Sequence, residues 1–192
     1  MTDAQADPHS RDFSIRLAEP ADLPALRALM EAAISRLQAS FLSPDEVAAS
    51  FSIMGLDTQL VADRTYFVVL SGARVAGCGG WSRRATLFGG DHSAGRDAAL
   101  LDPASDAARV RAMYTHPDFV RRGVGRRILD ACEAAAAAEG FGRCELAATL
   151  AGEPLYLACG YQEIERFDER TPSGVAVPLV RMGKSLISPN DR

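Results

Sequence analysis

No C-x-x-C pair occurs among the four cysteines, Cys78, Cys132, Cys144 and Cys159. Each lies in an apolar run, so they read as reduced, buried thiols and not as a disulfide frame. Histidine is scarce, and His9, His92 and His116 are too scattered to form a zinc site by spacing. No stretch is long and apolar enough to span a membrane as a helix. Met1 to Asp12 has no apolar signal-peptide core and reads as a disordered tail on a cytoplasmic protein. A basic excess is missing too: 21 Lys and Arg stand against 25 Asp and Glu, a net charge of −4. That excludes broad electrostatic binding to nucleic acid.

What is present is an ordinary globular balance, 47% hydrophobic and 24% charged over 192 residues. This length suits one domain with a well-buried core. The expected organisation is a tail over 1–12, one domain over 13–186 and a short tail over 187–192.

Phe13 to Leu17 alternates apolar and polar residues and predicts a strand. Glu19-Pro20-Ala21-Asp22 is a helix-start signal, and Leu23, Leu26, Leu29, Met30 and Ile34 follow at helical spacing. Ser43-Pro44-Asp45-Glu46 predicts a second helix, with Ser43 as cap. Thr65 to Leu70 and Arg74 to Trp81 read as a hairpin. Gly77, Gly79 and Gly80 in its second strand point to a bulge or to close backbone approach. Arg83 to Ala107 has little periodicity and reads as a long functional or mobile loop.

Arg109 to Thr115 is the next strand and Gly123 to Glu139 a helix, with Val124, Ile128, Cys132, Ala135 and Ala136 on its apolar face. Arg143 to Ala148 is a strand and Glu153 to Cys159 a short helix. Tyr161 to Phe167 and Val175 to Met182 are two final strands. Strand, glycine turn, helix, strand over 109–148 is a crossover unit and predicts a parallel pair. The hairpins on either side make the sheet mixed, an α+β arrangement.

The segment Met113-Tyr114-Thr115-His116-Pro117-Asp118-Phe119-Val120-Arg121-Arg122-Gly123-Val124-Gly125-Arg126 carries the chemistry. A strand ends at Pro117 and a helix begins near Gly123. Free N–H groups at a helix start hold the positive end of the dipole, and glycines let an anion approach the backbone. Arginines surround them, so the place suits a pyrophosphate. It is neither a Walker loop nor the dinucleotide fingerprint, which needs a third glycine. By spacing alone, a tight strand–helix turn with a solvated basic face fits as well.

Val120-Arg121-Arg122-Gly123-Val124-Gly125 resembles the acetyl-CoA loop of the GCN5-related N-acetyltransferases, [Q/R]-x-x-G-x-[G/A], with Val120 departing at the first position. Leu155-Tyr156-Leu157-Ala158-Cys159-Gly160-Tyr161 resembles that family's motif B, L-Y-x-x-x-G-[F/Y]. The resemblance implies the acyl-CoA N-acyltransferase fold, a mixed sheet of about six to seven strands flanked by helices. It implies acetyl-CoA as acetyl donor and no metal. Met113, Tyr114, Thr115, Arg121, Arg122, Gly123, Val124, Gly125 and Arg126 would bind the donor, the strand pairing with its pantetheine arm. A backbone N–H on the Met113–Thr115 edge would stabilise the oxyanion.

By the same resemblance, Tyr156 would be the general acid. A phenol of pKa ~10 remains protonated at neutral pH and can donate to the departing thiolate. Read without the resemblance, Tyr156 is better explained as a helix tyrosine packed on its apolar face. Cys159 is expected to pack and not to attack. No general base is assigned: His92 sits in the charge-rich loop, His116 in the turn, and Glu31 and Glu46 on helices that face solvent equally well. Trp81 is a candidate for the acceptor pocket or the core.

The expected function is direct acetyl transfer to an amine, a small molecule in preference to a protein, with no nucleic-acid or membrane partner. The alternative is a non-catalytic acyl-CoA-binding sensor or assembly module. Val175–Met182 is also a candidate for strand pairing across a homodimer.

Overall fold

The computed structural model describes residues 13–186. Both expected tails, 1–12 and 187–192, lie outside the described residues. The chain runs β1 (Phe13–Leu17), α1 (Leu23–Leu37), α2 (Pro44–Ser50), α3 (Thr58–Ala62), β2 (Tyr66–Ser71), β3 (Arg74–Ser82), β4 (Ala108–Thr115), α4 (Val124–Ala138), β5 (Arg143–Thr149), α5 (Glu153–Ala158), β6 (Gln162–Arg170) and β7 (Ala176–Ser185). The strands form one seven-stranded mixed sheet in the order β1-β2-β3-β4-β5-β7-β6.

The local signals act as their chemistry requires. Ser43 and Glu46 form a reciprocal capping box, so Pro44 enters the first turn of α2 with its neighbours' amides satisfied. α4 buries Val124, Ile128, Leu129, Cys132 and Ala136 against one face of the sheet. α1 buries Leu26, Leu29, Met30, Ala33 and Ile34 against the other.

One helix is unforeseen and one expectation needs correction. α3 falls where the sequence pattern predicts no helix. Its signal is Asp57, whose carboxylate accepts from the Gln59 N–H at 3.1 Å and caps it, with Leu60 and Val61 buried behind. The Val175–Met182 strand is not free to pair across a dimer. As β7 it is bonded to β5 on one side and to β6 on the other, and β6 is the edge. β6 has the sequence QEIERFDER, and charge of this kind on an edge discourages further pairing.

β4 and β5 are the parallel pair, but only Ala108↔Cys144 and Arg109↔Glu145 are in register. From Val110 onward β4 leaves its neighbour. The cause is a bulge: the β3–β4 register shifts between Cys78 and Gly80, and Ala112 takes a left-handed φ of 51°. An extra residue bends a strand and increases its twist. Gly79 makes the bulge sterically possible, because a Cβ there would stand 2.2 Å from Met113 Sδ. The glycine-rich strand is therefore closely approached at Gly79, and it carries an extra residue of its own where its register with β2 shifts between Val69 and Leu70.

Candidate active site

The splayed strands open a cleft of about 590 Å³. Of the expected donor-binding residues, Met113, Tyr114, Thr115, Arg121, Gly123, Val124, Gly125 and Arg126 line it, together with Tyr156. Arg122 does not. Its guanidinium lies over the rings of Phe13 and Phe119, 5.1 and 5.3 Å from their centroids.

The turn into α4 is built from left-handed backbone. Arg121 has φ 62° and Gly123, the helix N-cap, φ 79°. The first helical bond joins the Arg127 N–H to the Gly123 carbonyl at 3.0 Å. The amides of Val124, Gly125 and Arg126 therefore precede the helical ladder. Gly125 is needed for packing instead, because a Cβ on it would meet Leu155 Cδ2 at 2.7 Å. Arg126 completes this junction by donating from Nη2 to the Ala158 carbonyl at 3.0 Å. The two sequence motifs, far apart in the chain, are thus in direct contact. Among the described residues, Arg121 and Arg126 are the only charged residues lining this cleft.

A smaller chamber of about 100 Å³ adjoins the cleft. Met54, Met113, Tyr114, Thr149, Gly152 and Tyr156 line both, so Tyr156 stands where they meet. Its ring is 7% exposed and packs edge-on against Tyr161, 5.8 Å between centroids. Burial pushes the phenol pKa above its ordinary value, which keeps the proton on the oxygen. Burial also raises the Cys159 thiol, and Cys159 belongs to the hydrophobic core.

The remaining candidates lie elsewhere. His92 Nε2 is 2.7 Å from the Phe51 carbonyl and ties the long loop to the segment after α2. His116 accepts from the Asp118 N–H at 3.1 Å and caps the 3-10 turn Pro117–Phe119. Glu46 serves the α2 cap, and Glu31 is exposed. Trp81 is 2% exposed and packs on Phe141 in the core. Among the described residues, no Asp, Glu or His lines either cavity.

Sequence reading misses three features of the site. α1 contributes Ala33, Ile34 and Leu37 to the cleft wall, with Gln38 just beyond its end, and only the register of α1 on the sheet could show this. The 83–107 loop folds back on itself through Thr86 and Asp97 and brings Leu87, Phe88 and Gly89 over the small chamber. Arg111 lines that chamber and is paired with the wholly buried Asp57, 2.7 Å away. Burial lowers the Arg111 pKa, while Asp57 acts in the opposite direction. Among the described residues, no three His, Cys, Asp or Glu side chains gather as a metal site, and no helix is long and apolar enough to cross a membrane.

Comparison with known proteins agrees with this geometry. No curated protein sequence matches the chain. In fold it is similar to a GCN5-related N-acetyltransferase from Rhodopseudomonas palustris, with TM-score 0.65, 22% identity, and 90% of this chain and 94% of that one covered. It is similar to the PaiA N-acetyltransferase of Thermoplasma acidophilum in complex with coenzyme A, with TM-score 0.60, 12% identity and coverage of 90% and 98%. The ribosomal-protein-S18-alanine N-acetyltransferase of Escherichia coli aligns with TM-score 0.55, 17% identity and coverage of 93% and 97%. At these identities the likeness is one of fold. The family model of the acetyltransferase (GNAT) domain matches residues 62–163, more than half of the chain. The chain therefore belongs to the GCN5-related N-acetyltransferase (GNAT) family.

Proposed function

We propose that this protein transfers an acetyl group from acetyl-CoA to an amine by direct attack in a ternary complex. The observation that carries the reading is the continuity of one cleft. It begins at the cationic, left-handed turn before α4, follows the unpaired outer half of β4 and ends at Tyr156.

The residues present fit the donor. The amides of Val124, Gly125 and Arg126, with Arg121 and Arg126 beside them, suit a diphosphate at a helix start. The open edge of β4 over Met113–Thr115 suits an extended amide arm, which would bind as an added strand. Acetyl-CoA supplies the thioester. Tyr156 holds its proton at the junction of the two cavities, where a departing thiolate needs one. The small chamber on the other side of that junction receives the amine.

Among the described residues, no carboxylate or imidazole lines the site, so the amine's deprotonation falls to water or to the substrate's own equilibrium. The same observation favours the second reading, an acyl-CoA sensor without turnover.

A thiol-release assay with acetyl-CoA over an amine panel, run beside calorimetry with CoA, separates the two. Thiol release that depends on amine supports transfer. CoA uptake without release for any amine supports the sensor. Failure of folded protein to take up CoA removes both.

A further inference from the structure

We infer that the acceptor amine also carries a carboxylate, and that Arg111 is the residue that binds it. The inference rests on the acetyl-transfer reading above.

The small chamber has apolar walls from Ile53, Phe88 and Leu179, and Arg111 is the one charged residue lining it among those described. Arg111 is 5% exposed. Its Nη2 donates to the Gly89 carbonyl at 2.7 Å. Its Nη1 lies 2.7 Å from Asp57 Oδ2, in ion-pair contact without hydrogen-bond alignment. Its Nε–H is buried and has no partner among the described residues. Buried donors are almost always bonded, so an open one on a cavity wall points to a ligand group.

The acids of the surrounding network lie outside the chamber lining. Asp57 is shared between Arg111 and Arg96, whose Nη2 is 2.7 Å from Oδ1. Arg96 is also paired at the surface with Asp91, at 3.2 Å. Two arginines and two aspartates make this network neutral, but of the four only Arg111 lines the chamber, so a ligand there meets the cation and not its acid. A guanidinium edge that offers Nε–H and a remaining Nη hydrogen matches the two oxygens of a carboxylate. A single guanidinium in so small a space suits one negative charge better than the two of a phosphate. The same cation, with its acid behind it and not in the chamber wall, opposes binding of a bare ammonium. An amine with a neighbouring carboxylate and a short apolar group satisfies every wall.

The test uses matched acceptors: L-alanine and L-leucine against L-alaninamide and L-leucinamide, with spermidine and tyramine as plain amines. Rates of thiol release are normalised to each neutral-amine fraction. The expected result is a kcat/KM at least about tenfold higher for each acid than for its amide. Arg111→Lys keeps a charge against Asp57 but removes the fork. It should raise KM for the acids about tenfold or more and leave the amides' KM and the CoA Kd unchanged. Equal kcat/KM within each pair, turnover of plain amines only, or a KM rise shared by acids and amides overturns the inference while CoA binding stands. Absence of CoA uptake by the wild type instead removes the acetyl-transfer reading and this inference with it. The wild-type comparison decides the matter even where Arg111→Lys does not fold.

Discussion

The Tyr66 hydroxyl donates to the carbonyl oxygen of Ala112 across the width of β3, at 2.8 Å. Tyr66 is 1% exposed, and Ala112 is the left-handed residue of the β4 bulge. One phenol thus holds the distortion that separates β4 from β5. Tyr66→Phe should cost about 1–3 kcal/mol, because it leaves a partly buried carbonyl unsatisfied. Urea unfolding measures the cost, and calorimetry should show weaker CoA binding as the cleft edge relaxes. A stability loss with unaltered CoA affinity would separate the bulge from the site.

Gly123 and Gly125 should respond differently to alanine. A Cβ on Gly123 meets nothing within 4 Å, but its φ is 79°. Gly123→Ala should therefore cost roughly 1–2 kcal/mol in backbone strain alone and disturb the amides before α4. Gly125→Ala has no such strain, but its Cβ would stand 2.7 Å from Leu155 Cδ2. That atom is the flexible end of a side chain, so the loss in stability should be smaller, with α5 and Tyr156 displaced. Thermal unfolding beside kcat distinguishes a backbone effect from a packing effect.

Tyr156→Phe should lower kcat by about 10²- to 10⁴-fold, the usual worth of a general acid. In the proposed reading CoA affinity should be unchanged, because the diphosphate would be held by the turn before α4 and not by the phenol. Stopped-flow thiol release and calorimetry check the two halves of this statement. Equal turnover in the two proteins would take the proton-donor role from Tyr156.

With no acid or imidazole lining either cavity among the described residues, the rising limb of kcat/KM against pH should follow the acceptor amine. Acceptors whose amine pKa values differ by about two units should show limbs displaced by about two units. A limb at one pH for every acceptor would reveal an enzyme base.

Stability should fall in acid and in alkali for opposite reasons. Asp22, Asp63 and Asp118 are held below the usual carboxylate range, each chiefly by hydrogen bonding with Arg16, Arg84 and Arg74 respectively. Their contribution is complete above the unfolded value of about 3.9 and is lost as pH falls through the folded values. Burial pushes the Cys78 and Cys144 thiols up to about 12. That contribution is complete below the unfolded value of about 8.5 and is lost as pH rises toward about 12. Urea midpoints should thus be level between about pH 5 and 8. Asp63→Asn should flatten the acid slope without touching the alkaline one.

Much of the architecture is legible because it is written in local chemistry. Ser43 with Glu46 announces α2, the apolar stripe from Val124 to Ala136 announces α4, and the 109–148 crossover announces the parallel pair. Helix α3 escapes such reading because it is five residues long, too short for periodicity to register, and only its Asp57 cap signals it. The position of β7 escapes it too, because alternation in a strand says which face is buried and not which neighbours it has.

The sequence by itself determined the order of every element but α3, the mixed sheet and the two motifs that place the chain in its family. These depend on propensity, capping and spacing within a few residues. Tertiary structure alone decided that Gly125 seats Leu155, that Arg122 turns away onto Phe13 and Phe119, and that Arg111 faces a chamber with Asp57 behind it. Each of these is a meeting of residues distant in the chain. It exists only once the bulge at Ala112 has bent β4 from β5 and the helices have packed on both faces.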